Sequence, residues 1–110
     1  MLSTSQIKYI RTGQPKADQK ILRIFNVLGE RNRLDIFCLI AEHHDLCVSD
    51  VATILNTSIS AASQQLKIME YSGLVSRMRM GKSVCYKVNT EDPFILRVIG
   101  LLKYNDGSNI

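Results

Sequence analysis

Apolar residues recur at spacings of three and four through "KADQKILRIFNVLG", where Ile21, Ile24, Phe25 and Leu28 form one stripe. This predicts a first helix that opens near Pro15 and stops at Gly29. "NRLDIFCLIAEHHD" is apolar around most of its circumference, as expected of a helix enclosed by others. "LCV" reads as a brief extended link. Ser49 can then cap a short helix, "DVATIL", ending at Asn56, a residue that tolerates the left-handed conformation. A tight turn leads to Ser58, a second capping residue, and to the helix "ISAASQQLKIMEY"; two short helices joined in this way make a helix-turn-helix. After Gly73 the period changes to two. "LVSRMRM" and "SVCYKV" alternate on either side of "MGKS", which supplies the glycine a hairpin turn favours. Asp92 then caps a closing helix with Pro93 at its first position and Phe94, Ile95, Val98, Ile99 and Leu102 as its apolar residues.

The fold predicted is therefore mainly α with a small β-hairpin, a winged helix-turn-helix over residues 15–104. Residues 1–14 read as a loose arm and residues 105–110 as a tail.

The helix beginning at Ile59 carries serines and glutamines where a solvated face ordinarily carries Lys and Glu. Projected at about 100° per residue, Ile59, Ala62, Leu66 and Met69 fall on the core side, and Ser60, Ser63, Gln64, Lys67 and Tyr71 fall opposite. Short hydroxyls and an amide let a backbone come close to a ligand while still offering donors and acceptors. That chemistry suits the floor of the DNA major groove. Gln64 can pair with adenine through two hydrogen bonds, Ser60 and Ser63 can meet any base edge, and Lys67 can reach guanine or phosphate. Ser58, at the helix start, is placed to bind a phosphate together with the first-turn amides. The alternative for this helix is a neutral surface filled with serines.

Charge favours the first reading. The chain carries +4 overall, and the segment from Thr57 to Thr90 holds Lys67, Arg77, Arg79, Lys82 and Lys87 against the single acid Glu70. The rest of the chain is balanced, so the whole excess lies on the second helix and the hairpin. Arg77, Arg79 and Lys82 sit on or near the hairpin tip, where they can follow a nucleic-acid backbone or minor groove.

Cys38, Cys47 and Cys85 match no disulfide scaffold and no paired metal clip, so all three are expected as reduced thiols, with Cys85 exposed on its strand. The opening "MLSTSQIKYIRTGQPK" lacks the apolar run of a signal peptide or spanning helix, which predicts a cytoplasmic protein without a membrane partner. No paired carboxylates or nucleophile motif indicate an enzyme, and no cofactor is expected. The apolar stripes of the first and closing helices exceed what one small core needs, which predicts a homodimer; the alternative is a monomer that folds both helices onto itself.

"VLGERNRLDIFCLIAE", "LCVSDVA", "SISAASQQLKIMEYSGLV" and "RMGKSVCYKV", in this order, resemble the ArsR/SmtB family of bacterial winged-helix repressors over about residues 15–104. The most specific element is the serine-rich helix ending in "GLV" directly before a wing. The resemblance implies a homodimer held by its first and last helices, bound to a palindromic operator in double-stranded DNA and released by an effector. Gln65 stands where many members have a histidine and, at the edge of the exposed face, ranks below Gln64 for base contact.

Both metal sites that the resemblance would bring are dismantled. "LCVSDVA" keeps Cys47 but has Ser49 and Ala52 at the other thiol positions, and the closing helix has no histidine. One thiolate cannot build a soft three- or four-coordinate site. No metal is expected, and His43, His44 and Cys47 are a poor alternative set because adjacent histidines diverge. Thiol-sensing relatives place a reactive cysteine where Cys38 stands, which makes Cys38 the effector candidate. Their second thiol, near the end of the last helix, has no counterpart here. The readings left open are a repressor with an unidentified effector, a thiol-responsive repressor using Cys38, and a winged-helix protein-interaction module without DNA readout.

Overall fold

A stripe of Ile24 and Val27, buried between Asp18 and Gly29, begins the core. In the computed structural model, which describes residues 1–104, this helix is the second of six: α1 (Thr4–Thr12), α2 (Gln19–Leu28), α3 (Arg31–Glu42), α4 (Val48–Ile54), α5 (Ile59–Tyr71) and α6 (Pro93–Tyr104). Three strands, β1 (Leu46–Cys47), β2 (Val75–Met80) and β3 (Ser83–Val88), form an antiparallel sheet in the order β1-β3-β2. The expected tail, residues 105–110, lies outside the described residues.

The expected elements are present, with corrections at their ends. α2 opens later than Pro15 suggested, because Asp18 caps it by accepting from the Lys20 amide at 2.7 Å. Residues 4–12, expected as part of a loose arm, are helical. Ser3 and Gln6 form a reciprocal capping box, Ser3 accepting from the Gln6 amide and the Gln6 side chain from the Ser3 amide. No residue of α1 is buried, so none of the other described residues covers it. The radius of gyration, 18.3 Å, accordingly exceeds the roughly 13 Å of a compact chain of this length.

Ile36, Phe37 and Ile40 of α3, Val51 and Ala52 of α4, Ala62, Leu66 and Met69 of α5, and Ile95, Val98 and Ile99 of α6 meet in one core with Tyr86 and Val88 of the wing. Burial of each large apolar side chain stabilises by about 1.5–3 kcal/mol. Ile95, Val98 and Ile99 thus belong to the chain's own core, whereas Leu96 and Leu101 of α6 are exposed.

Two further corrections bear on the sheet. "LCV" is more than a link, since Leu46 and Cys47 pair with Tyr86 and Cys85 of β3. The helix expected to be capped by Ser49 starts two residues earlier, at Val48, and the Asp50 carboxylate accepts from the amide of Cys47 at 2.9 Å.

α6 is fastened at its start. Asp92 caps it through the Phe94 amide, 2.9 Å away, and pairs with Lys20 of α2. The hydrogen bond from Lys20 holds the Asp92 carboxyl below its ordinary value, the Phe94 amide acting the same way. A carboxyl depressed on folding stabilises above its unfolded pKa and loses that contribution as pH falls through the folded one. Asp92→Asn, which keeps the capping oxygen, should therefore lower the melting midpoint at neutral pH, and the gap should close as pH drops below the ordinary carboxylate range. A gap independent of pH would show that the Lys20 pairing adds nothing.

Candidate nucleic-acid interface

α4 and α5 are joined by a turn whose geometry depends on Asn56, at φ 54°, in the left-handed region that Asn tolerates better than most residues. The Thr57 amide donates back to the Ala52 carbonyl at 2.9 Å, and Ser58 caps α5 by accepting from the Ala61 amide at 3.0 Å. The Ser58 hydroxyl still has its own proton to donate. Ala62, Leu66 and Met69 seat α5 on the core, so Ser60, Gln64, Lys67 and Tyr71 form its exposed stripe, Tyr71 being 94% exposed.

Ile59 departs from expectation. It is 59% exposed instead of buried, because the first helical turn projects past the edge of the core. It turns with Ser63 and Lys67 toward the wing, where these three residues form one wall of a groove of about 390 Å³. Cys47, Val48 and Ser49 also line it, together with Arg77, Ser83, Val84 and Tyr86 of the wing. Ser63 is accordingly half-buried and belongs to this groove, while Ser60 and Gln64 face outward.

Gln65 is held in place by a contact that no local pattern revealed. Arg33 of α3 donates to its side-chain oxygen at 3.2 Å and to the Val27 carbonyl at 2.7 Å. One guanidinium thus braces α5 against the α2–α3 corner, and Gln65 is spent on that brace.

The wing is fixed to the end of α5. Gly73, at φ 90°, turns the chain out of the helix, and the Asn89 side chain donates to the Gly73 carbonyl at 2.7 Å while bonding to the Ser76 hydroxyl. The Asn89 amide also donates to the Leu74 carbonyl at 3.0 Å. At the tip, Gly81 adopts φ 65° and Lys82 does not have a positive φ, the pattern of a two-residue type II′ hairpin. Arg77 and Arg79 lie on one face of β2, opposite Tyr86 and Val84 in register. Arg77 approaches Glu70 at 3.8 Å. Among the described residues, Arg79, Lys82 and Lys67 have no acidic partner within ion-pair distance. Their charge is free to act on a ligand.

Cys38 of α3 is half-buried. Burial pushes its thiol above the ordinary value, and the carboxylates of Asp35 and Glu42 push the same way against one backbone hydrogen bond. Such a thiol is protonated at neutral pH, which disfavours nucleophilic reaction. The other two cysteines overturn the expectation of three reduced thiols. Cys47 and Cys85 are joined as a disulfide, and Cys85, expected to be exposed, is fully buried. Ser83 and Lys87 on the same face of β3 stay exposed, whereas Cys85 is buried where β1 brings Cys47 opposite it. Among the described residues no helix is long and apolar enough to cross a membrane.

A tight helix-turn-helix with a basic hairpin fastened to the end of its second helix defines a winged helix-turn-helix protein. Residues 30–77 match the family described as "Bacterial regulatory protein, arsR family". It is 33% identical over 72 residues to the arsenical resistance operon repressor of Escherichia coli (strain K12), covering 66% of this chain and 62% of that one. It is 31% identical over 87 residues to the transcriptional repressor SmtB homolog of Synechocystis sp., covering 74% of this chain and 65% of the relative. The chain thus spans less than two thirds of the length of these curated relatives. In structure it is similar to HlyU from Vibrio cholerae N16961, with a TM-score of 0.70 and 26% identity over 77% of this chain and 89% of that one.

Proposed function

We propose that this chain is a cytoplasmic, sequence-specific regulator that binds double-stranded DNA as a homodimer and represses transcription until an effector releases it. The single observation that carries this reading is the exposed stripe Ser60, Gln64, Lys67 and Tyr71 beside a wing whose Arg79 and Lys82 have no acidic partner within ion-pair distance among the described residues. α5 lies in the major groove with Gln64 toward an adenine edge, Ser60 at its neighbours and Lys67 toward guanine or phosphate. The Ser58 hydroxyl donates to a phosphate at the helix start. Arg77, Arg79 and Lys82 contact the adjoining backbone and supply affinity without sequence information. The repressor names of the two curated relatives support the regulatory role.

The dimer rests on apolar surface the chain leaves uncovered. Phe25 of α2 meets Phe94 of α6 edge-on, with ring centroids 6.0 Å apart. Leu22, Phe25, Leu96 and Leu101 on these helices, with Ile7 and Ile10 of α1, remain exposed. A second copy would cover them, and two-fold symmetry would set the two α5 helices in successive major grooves about one helical turn apart, matching a palindromic operator.

The test is a selection of preferred duplexes followed by anisotropy titration. Two chains should bind per selected site, and Gln64→Ala should cost about 1–3 kcal/mol on that site while leaving mixed-sequence binding nearly unchanged. Unaltered preference in Gln64→Ala would show that another face reads the sequence. One chain per site would refute the dimer.

A further inference from the structure

We propose that Cys47 and Cys85 are a reversible dithiol–disulfide couple that locks the wing to the helix-turn-helix and thereby raises affinity for DNA. The proposal rests on the DNA-binding reading for its consequence, but the lock itself does not. Cys47 is the residue immediately before α4, and Cys85 is central in β3, directly opposite it in register. The bond closes a loop of sequence separation 38 that contains α4, α5 and β2, the whole recognition apparatus. Without it, β1 is held to β3 by only two residue pairs, Leu46 with Tyr86 and Cys47 with Cys85. So short a ladder is marginal by itself. The oxidation state of one sulfur pair therefore decides how firmly the start of the helix-turn-helix is tied to the strand that supports Arg77 and Arg79.

The two thiols differ in access. Cys85 is fully buried, while Cys47 is half-buried and lines the groove shared with Lys67 and Arg77. Cys47 is thus the sulfur that a small oxidant reaches, and Cys85 resolves. With a hydroperoxide as oxidant, the Cys47 thiolate attacks the nearer peroxide oxygen. The O–O bond breaks, the leaving oxygen takes a proton as water or alcohol, and Cys47 becomes a sulfenic acid. The Cys85 sulfur then attacks that of Cys47. An S–S bond forms, the S–O bond breaks, and hydroxide leaves as water with the Cys85 proton. Two electrons pass from the sulfur pair to the peroxide, and a small thiol in excess returns them by exchange. In a compartment that keeps thiols reduced, a disulfide is ordinarily transient and redox-responsive. Locking the wing against α5 preorganises both DNA-contacting elements, which favours binding.

The experiment uses the full chain carrying Cys38→Ser, so that only this pair can react. Protein reduced with dithiothreitol is treated with hydrogen peroxide and followed by intact mass, peptide mapping, amide exchange and anisotropy on one duplex. Expected are loss of the mass of two hydrogens, a Cys47–Cys85 linked peptide, slower exchange in β1 and β3, and DNA binding several-fold tighter than in the reduced form. Added Cys47→Ser or, separately, Cys85→Ala should hold the protein at the weaker affinity under both conditions. The lock is refuted if both thiols remain alkylatable after peroxide, if dithiothreitol cannot reopen the bond, or if the variants still respond. Equal affinity of the two forms would refute the gain in binding. Bond formation and slowed exchange, with neither form binding any duplex, would support the lock and refute the DNA-binding reading.

Discussion

Leu66→Ala should remove about 2–5 kcal/mol of folding stability, the range for a fully buried leucine whose neighbours relax only partly. Leu66 is completely buried on the underside of α5, between Ala62 and Met69, and its removal leaves a void where the recognition helix rests on the core. Total stability of a small domain is about 5–15 kcal/mol, so the loss is a large part of it. The melting midpoint should fall by roughly 10 °C or more. Gln64→Ala, two residues away on the opposite face, should shift stability by less than about 0.5 kcal/mol, as expected of an exposed site. A Leu66→Ala protein that melts within a degree or two of the wild type would contradict the orientation of α5, and with it the choice of reading face.

The second large effect belongs to the wing. Arg79→Ala combined with Lys82→Ala removes two exposed cations that have no acidic partner within ion-pair distance among the described residues. Each phosphate contact contributes about 0.9 to the slope of log affinity against log salt. At about 0.1 M salt, two lost contacts correspond to a roughly 60-fold weaker complex, about 2.4 kcal/mol. The loss should be similar for preferred and mixed sequences, because phosphates carry no base identity. A loss confined to the preferred sequence would mean that the wing reads bases. Anisotropy titrations at four or five salt concentrations separate the two outcomes.

These predictions rest on residues whose placement was largely legible in the chain. The period of α5 identified Ala62, Leu66 and Met69 as core and Ser60, Gln64 and Lys67 as surface, because a helix on a core has one buried side. The switch from period 3.6 to period 2 after Gly73, with glycine in the turn, located the wing. What local pattern could not show was long-range pairing. The Arg33 bridge to Gln65 spans 32 residues, and the β1–β3 ladder that places Cys47 against Cys85 joins segments 38 apart. Ile59 failed because the projection assumes a core as long as the helix. The Ser3–Gln6 capping box of α1 is a Ser-x-x-Gln signature set in a polar stretch whose composition alone indicates a loose arm.

The apolar content of α6 was also visible, but its partition was not. Ile95 and Ile99 go to the chain's own core, whereas Leu96 and Leu101 stay exposed. Only the packing partner of each face decides that division, and periodicity alone does not name the partner.

The central claim is that α5 and the wing together form a surface for duplex nucleic acid. It is tested most directly by titrating the reduced and the oxidised chain with a mixed-sequence DNA duplex at low ionic strength and then raising the salt. The account predicts saturable binding by both forms, with log affinity falling linearly against log salt. Absence of binding to any duplex at low salt, or an affinity indifferent to salt, would contradict it.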